Sequence, residues 1–318
     1  MKNHFLHIIL NSVLVLRSFS VVALLIFNSF CLSAGAQAQA GLSQKKSSEY
    51  ADAKIDSLLT LFEDTNKVNR LNKAGNEYIR IGAYDRTIRC CSHALRLAQQ
   101  LNYKAGIVFA CNILGVAYLE QGNYPKALDN HLKALKIDEE LNNKNGIAYH
   151  LGNIGIVYYL QSNYAKALDY YMRSLKMVEE LVSKNPSKGN RQLLANKFGS
   201  IGNVYKDQGD YPKALDYYLR SLKIDEELQD KGGIAKVLGN IGIVYAEQEN
   251  YTKALDYYLK ALKIDEEIED RDGMAGDMGN IGWLYTLVKK YPEAEKYLLE
   301  ALKIDNEIGA QYAEKEDE

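Results

Sequence analysis

Residues 251–267 read YTKALDYYLKALKIDEE, and closely similar sequences occur three times earlier in the chain. Within this stretch Ala254, Tyr258 and Leu262 are spaced four residues apart, which places them on one face of a helix. The earlier copies are YPKALDNHLKALKIDEE at 124–140, YAKALDYYMRSLKMVEE at 164–180 and YPKALDYYLRSLKIDEE at 211–227. Self-similarity at a fixed spacing indicates a repeat architecture, in which each unit buries its apolar face against the next.

The repeated unit is longer than this helix, because columns of glycine and tyrosine run through six copies. One Tyr follows three residues after each repeat glycine, a second follows nine after it, and Ala or Ser follows nineteen after it. The repeat glycines are Gly75, Gly115, Gly155, Gly202, Gly242 and Gly282, at intervals of 40 residues except for one of 47. Each copy predicts two helices joined by a tight turn, and the seven extra residues around 183–192 predict one longer loop.

The columns resemble the tetratricopeptide repeat, whose pattern runs Leu-Gly, Tyr, Ala and an aromatic residue. The match is carried by Ile154-Gly155, Tyr158, Ala167 and Tyr171 in one copy, and by Ile241-Gly242, Tyr245, Ala254 and Tyr258 in another. The 40-residue period and the missing closing proline are similar to the longer repeats of kinesin light chain. The resemblance implies an all-α fold, a right-handed superhelical solenoid of six helix-turn-helix hairpins over residues 68–309.

The ends of the chain differ from the repeats. Residues 1–40 contain two basic residues, no acidic residue, an apolar stretch and Ala-Gln-Ala near their end, which is typical of a signal peptide. A retained membrane anchor is the alternative. Residues 41–67 predict a linker and a lead-in helix whose apolar stripe includes Phe62, and residues 310–318 predict an acidic tail. We therefore expect an exported protein, periplasmic or secreted, with no membrane span after cleavage.

No catalytic, metal-binding or cofactor-binding constellation is predicted. The formal net charge of −2 provides no basic field for nucleic acid. His93, His131 and His150 lack the spacing of metal ligands, and the repeated Asp-Glu-Glu runs, as at 138–140, predict solvated helix ends. The GNIG sequences lie within helices, so their glycines are expected to serve packing rather than phosphate binding. The sequence thus predicts neither an enzyme nor a cofactor.

Two cysteines fall in core columns of the repeat. Cys91 takes the aromatic position of the first copy and Cys111 a core position of the next, so both are expected to be buried. The second helix of one copy is expected to pack on the first helix of the next. Either free thiols or a disulfide between these two residues is compatible with that arrangement.

A binding groove follows from the resemblance, because the first helices of such repeats line a concave surface. The residues two before and one after each repeat glycine are expected to face it. The candidate peptide-binding residues are Asn153, Ser200, Asn203, Asn240, Asn280, Ile156, Ile243 and Trp283. Asparagines there resemble the ladder by which the repeats of O-linked N-acetylglucosamine transferase hold a peptide backbone. The alternative is that these amides bond neighbouring helices.

The sequence therefore predicts a non-catalytic scaffold whose partner is a protein or an extended peptide, and not a nucleic acid. The lead-in followed by repeats also resembles the sensory region of bacterial histidine kinases and transcription regulators. A detached sensory module acting with a separate membrane kinase or regulator is thus the alternative function. The last repeat ends near Ile308, and its uncovered apolar face predicts docking of a partner or self-association.

Overall fold

A computed structural model of the chain describes residues 52–317, with side chains described as far as residue 309. Residues Ile55–Ala313 form one compact unit. The predicted signal peptide, its cleavage site and the predicted linker up to residue 51 lie outside the described residues. Among the helices that are described, none combines the length and apolar character that a membrane span requires.

The described residues form thirteen α-helices and no strand, which confirms the predicted all-α fold. Helix α1 covers residues 52–59. The others are α2 (Thr65–Arg80), α3 (Tyr84–Gln100), α4 (Lys104–Glu120), α5 (Tyr124–Glu140), α6 (Lys144–Leu160), α7 (Tyr164–Lys184), α8 (Lys188–Asp207), α9 (Tyr211–Leu228), α10 (Lys231–Glu247), α11 (Tyr251–Ile268), α12 (Arg271–Leu287) and α13 (Tyr291–Asp317). From α2 onward, consecutive helices pair into six hairpins, each packed on the next as a right-handed solenoid.

A ring-on-glycine contact joins the two helices of the central hairpins. A Cβ on Gly242 would lie 2.6 Å from Cε1 of Tyr258, and one on Gly155 would lie 2.5 Å from Cδ1 of Tyr171. Both rings are at most 3% exposed. Because no side chain can approach a ring so closely, only glycine lets the tyrosine occupy this place. The packing role predicted for these glycines is confirmed.

The turn inside each hairpin requires one residue in the left-handed region. Glycine supplies it in three hairpins and another residue in the other three, with φ between 56° and 60°. The glycines are Gly82, Gly122 and Gly209, and the others are Ser162, Glu249 and Lys289. At Glu249 the following N–H, that of Asn250, donates to the carbonyl of Tyr245 at 2.8 Å, which closes the helix end. The three turns without glycine therefore carry backbone strain.

The seven extra residues lengthen helices rather than a loop, so the predicted long loop is wrong. Helix α7 has 21 residues and α8 has 20, whereas α6 has 17. Only residues 185–187 connect α7 to α8. Pro186 cannot continue the ladder of α7, and the Ser187 hydroxyl accepts a hydrogen bond from the Asn190 N–H at 3.3 Å to begin α8.

The lead-in is interrupted before the first hairpin. Helix α1 ends at residue 59, and Phe62, predicted on its apolar stripe, is 84% exposed. The Lys67 ammonium donates to the carbonyls of Leu59 and Leu61 at 2.8 and 3.1 Å. The Asp64 carboxylate accepts from the Lys67 N–H at 2.8 Å and starts α2. These hydrogen bonds stabilise a turn between α1 and α2, where the apolar spacing alone predicted a continuous helix.

The last hairpin leaves part of its apolar face uncovered. Leu302 of α13 is 49% exposed, whereas its equivalents Leu135, Leu175 and Leu262 in earlier hairpins are 5 to 6% exposed. Those earlier leucines are covered by the following hairpin. The backbone of α13 continues as helix to residue 317, through most of the predicted acidic tail.

Candidate functional site

All eight candidate residues lie on the first helix of a hairpin. We call the surface that they share, on α6, α8, α10 and α12, the groove face. Asn153 and Ile156 lie on α6, Ser200 and Asn203 on α8, Asn240 and Ile243 on α10, and Asn280 and Trp283 on α12. Seven of them are half-buried, and only Trp283, at 47% exposure, projects strongly into solvent.

Three candidates come together in one cleft between α10 and α12. Asn240, Ile243 and Asn280 line a space of about 400 Å³, which we call the aspartate cleft. Its other lining residues are Gly232, Ala235, Lys236, Gly239, Asp265, Asp270, Asp272, Gly273, Gly276 and Asp277. Four of these lining residues are glycine, so no side chain fills the cleft at their positions. A Cβ on Gly276, for example, would meet no atom within 4 Å.

The candidates on α8 are engaged within the protein. The Asn203 side-chain oxygen accepts a hydrogen bond from the Tyr218 hydroxyl at 2.6 Å. The Ser200 hydroxyl donates to the carbonyl of Asn196 at 2.9 Å, one turn earlier in the same helix. For Asn203 the alternative role, bonding between neighbouring helices, is therefore the one that the structure shows. On α6, the buried Asn153 amide nitrogen has no hydrogen-bond partner in the described part of the chain.

A second cleft, between α4 and α6, contains aromatic residues that the sequence analysis missed. Phe109 and Tyr149 are 47% and 41% exposed on the groove-facing side of their helices. They line a space of about 580 Å³ together with Ala105, Val108, Asn112, Asp138, Leu141, Asn143, Asn145, Gly146, His150 and Leu193. The sequence contained one signal for these two residues, because each lies six residues before its repeat glycine.

The first aspartate of each Asp-Glu-Glu run is buried, so the prediction of solvated helix ends is wrong for these residues. Asp138, Asp225 and Asp265 are 2%, 2% and 5% exposed. Each carboxyl lies against a glycine eight residues later, as Asp265 does against Gly273, where a Cβ would overlap it. The sequence carried this signal as a glycine at a constant distance from each run.

The three buried aspartates have different surroundings. Asp138 accepts from the Asn143 amide at 2.9 Å and lies 3.2 Å from His150 Nε2. Asp225 accepts hydrogen bonds from Gln192 Nε2 at 3.0 Å and from the Ser221 hydroxyl at 3.3 Å. The carboxyl groups of Asp138 and Asp225 therefore both accept hydrogen bonds from other side chains of the protein.

Asp265 instead lies near a second buried carboxyl, that of Asp277. Burial, followed by the charge of Asp265, raises the pKa of Asp277 to about 7. Burial, followed by the charge of Asp270, raises the pKa of Asp265 to about 6. Asp277 is 7% exposed, and its Oδ2 has no hydrogen-bond partner among the residues that the structure describes. Two buried carboxyls that line one cleft favour keeping a proton on one of them near neutral pH.

The histidines and cysteines of the core are uncharged groups. His131 takes the place of the packing tyrosine and is fully buried, and burial lowers its pKa to about 4. The predicted burial of Cys91 and Cys111 is confirmed, and both thiols are unbridged. Burial raises the pKa of Cys111 to about 11, so it stays protonated at neutral pH. A cation missed by sequence reasoning is Lys197 on α8, whose pKa burial lowers to about 8.

The sequence itself identifies the family. The model of the tetratricopeptide repeat family matches residues 107–180, 193–267 and 233–307, which is more than half of the chain. The chain belongs to the tetratricopeptide repeat family. Proteins of this family are generally interaction scaffolds rather than catalysts. No curated protein sequence matches the chain significantly.

Several solved structures share the tetratricopeptide solenoid. The apo form of RapI has a TM-score of 0.64 at 19% identity, over 82% of this chain and 90% of that one. BtubC (BKLC) from P. vanneervenii has a TM-score of 0.59 at 19% identity, over 71% of this chain and 92% of that one. A Rap protein complexed with competence and sporulation factor has a TM-score of 0.61 at 17% identity, over 85% of this chain and 73% of that one. At these identities the similarity concerns the fold.

Proposed function

We propose that this protein is a non-catalytic scaffold that binds an extended peptide, or an extended segment of a partner protein, on its groove face. The observation that carries the proposal is the pair of amides in the aspartate cleft. Asn240 and Asn280 stand at equivalent positions of neighbouring helices. Neither side chain has a hydrogen bond to another of the residues that the structure describes, in contrast to Asn203.

An amide can both donate to and accept from a peptide bond, so two amides on successive helices can hold an extended chain without reading its sequence. Trp283 lies one turn beyond Asn280 on the same helix and is exposed. Ile243 lines the same cleft. These two apolar side chains would supply the preference for hydrophobic residues in the bound peptide.

The test is the double variant Asn240→Ala with Asn280→Ala, probed with peptides selected from a random decapeptide library on the full chain. Binding is followed through the fluorescence of Trp283, the single tryptophan. We expect affinity to fall by roughly 1 to 3 kcal/mol, the cost of leaving peptide groups without partners. Helical content and melting should stay unchanged. The matched control is Asn306→Ala, which removes an exposed amide from α13.

Two results would contradict the proposal. Normal peptide binding by the double variant would mean that the amides do not contact the peptide. Marked loss of melting stability would instead mean that the amides hold neighbouring helices together.

The alternative function is a detached sensory module that acts with a separate membrane kinase or transcription regulator. The solved Rap complex supports it by analogy, because that tetratricopeptide solenoid is seen with competence and sporulation factor bound. A kinase or regulator encoded beside this protein would favour the sensory role. A secreted neighbour would favour the scaffold role, and a pull-down from the periplasm would compare the two directly.

Export is a further part of the proposal. Removal of the proposed signal peptide gives a mature chain that begins near Gln39 or Gly41. The intact mass of exported material measures this loss directly. A full-length mass in the soluble extracellular fraction would contradict cleavage.

Self-association through the last hairpin is also proposed, with a second copy of the chain as the occupant. It is supported by Leu302, which is 49% exposed although its equivalents in earlier hairpins are covered by the next unit. Leu302→Asp should abolish concentration-dependent association in sedimentation. A strict monomer at all concentrations before the substitution would argue against the proposal.

A further inference from the structure

The aspartate cleft carries negative charge that the protein leaves unbalanced. Besides Asp277, the charged and titratable groups that face it are Lys236 from α10, Tyr258 and Asp265 from α11, Asp270 from the following turn and Asp272 from α12. Four carboxyl groups thus stand against one lysine. Lys236 forms no ion pair with Asp265 or Asp277 among the residues that the structure describes, and its charge also contributes to lowering the pKa of Asp225, the buried carboxyl of the preceding hairpin.

Two other cations near the cleft form ion pairs with carboxylates that do not line it. The Arg271 guanidinium pairs with Glu307, and the Lys231 ammonium lies 2.9 Å from the Glu267 carboxylate. Among the residues that the structure describes, neither Asp265 nor Asp277 forms an ion pair. A buried, unpartnered carboxyl oxygen is costly unless a donor from outside reaches it.

The cleft has room for such a donor. Position six before the repeat glycine carries a large side chain on α4 and α6, Phe109 and Tyr149, but Gly276 on α12. A Cβ on Gly239, across the cleft, would lie 3.3 Å from Asp277 Oδ1, so this carboxyl lies against bare backbone of α10. A side chain from a bound peptide can therefore reach the carboxyl pair between the two helices.

We propose that Asp265 and Asp277 form an arginine subsite of the groove face, in which they receive the guanidinium of a peptide arginine; this rests on the proposed peptide-binding function. Guanidinium is planar, offers five N–H donors and is more weakly hydrated than an ammonium, which suits two buried carboxyls. The side-chain oxygens of Asn240 and Asn280 can accept its remaining N–H groups. Within residues 52–309, whose side chains the structure describes, no three His, Cys, Asp or Glu side chains are grouped to hold a metal ion.

Arginine binding at this subsite is coupled to proton release. The raised pKa values of Asp265, about 6, and Asp277, about 7, keep a proton on the pair near neutral pH. A guanidinium favours the ionised carboxyls and displaces that proton. Affinity for an arginine peptide should therefore rise as pH increases from about 5 to about 8, while affinity for a neutral analogue stays flat.

The experiment compares two probes on the full chain by isothermal titration calorimetry. They are acetyl-Ala-Ala-Arg-Ala-Ala-amide and the same peptide with citrulline, which is neutral and nearly isosteric. We expect the arginine peptide to bind about tenfold or more tightly, with proton release measured in buffers of different ionisation enthalpy. Asp277→Asn should remove this preference, so that the arginine and citrulline peptides bind the variant equally. The matched control is Asp225→Asn, the equivalent of Asp265 in the preceding hairpin, where the preference should persist.

The possible failures separate the two proposals. Equal binding of both peptides overturns the arginine subsite and leaves the groove function standing. An arginine preference that survives both Asp277→Asn and Asp265→Asn also overturns the subsite, because the guanidinium must then bind elsewhere. If neither peptide binds at millimolar concentration while library-selected peptides do, the subsite alone fails. If no peptide of any kind binds, the groove function fails with it.

Discussion

Replacing Asp277 by Asn should stabilise the protein at neutral and alkaline pH but not in acid. The pKa of this carboxyl is raised from 3.8 to about 7 by burial and by Asp265. Near pH 3 the carboxyl is protonated in both the folded and the unfolded state, so it does not lower the free energy of unfolding. As pH rises through 3.8 the unfolded state ionises while the folded state keeps its proton, and stability falls until pH passes about 7.

The magnitude follows from the size of that shift. A rise of about three pH units corresponds to at most about 4 kcal/mol of lost stability, and relaxation of the pair reduces it to about 2 to 4 kcal/mol. Asn has the same shape and no charge, so Asp277→Asn should recover this amount above about pH 7 and little near pH 4. The assay is urea unfolding of the full chain, followed by circular dichroism across that range.

Asp216→Asn is the control, because this aspartate is exposed in the middle of α9. Its unfolding free energy should differ little from that of the parent chain at any pH. Equal destabilisation by Asp277→Asn at every pH would refute the reasoning. Such a result would mean that ionisation of this carboxyl carries no pH-dependent cost in the folded state, and that the substitution disturbs packing or hydrogen bonding instead.

Two further predictions concern glycine. Gly242→Ala should destabilise the chain by about 1 to 3 kcal/mol, because the added methyl group would collide with the Tyr258 ring. Gly279→Ala should instead stabilise α12 by up to about 1 kcal/mol, because a Cβ there would meet no atom within 4 Å. Opposite shifts in the urea midpoint check this pair, and equal shifts would contradict it. Glu249→Gly should stabilise by about 0.5 to 1 kcal/mol, because φ there is 58°, and Gly122→Ala at the equivalent turn should destabilise. Thermal melting measures both, and a lower melting temperature for Glu249→Gly would show that its side chain makes a contact worth more than the strain.

The repeat columns predicted the solenoid because the information that selects helices is local. Apolar residues at helical spacing and a small residue at each close approach recur in every hairpin, so similar packing forms six times. A ring sixteen residues after the repeat glycine recurs in four of the six hairpins, and Cys91 and Leu298 take its place in the first and the last. The same columns grouped Asn240, Ile243 and Asn280, which line one cleft between adjacent first helices. They did not distinguish these residues from Asn203, whose amide is occupied by Tyr218 of the next helix.

By itself the sequence determined the all-α repeat, its six hairpins and the helices that present the groove face, since each depends on spacing within one helix or hairpin. Only the tertiary structure decided the environment of each polar residue. The Asp-Glu-Glu runs look alike, yet Asp138 faces His150 and Asp265 faces Asp277, because the facing residue comes from the next hairpin. Burial and charge at such a site depend on which side chain the neighbouring helix supplies, and the pattern of one helix does not encode it.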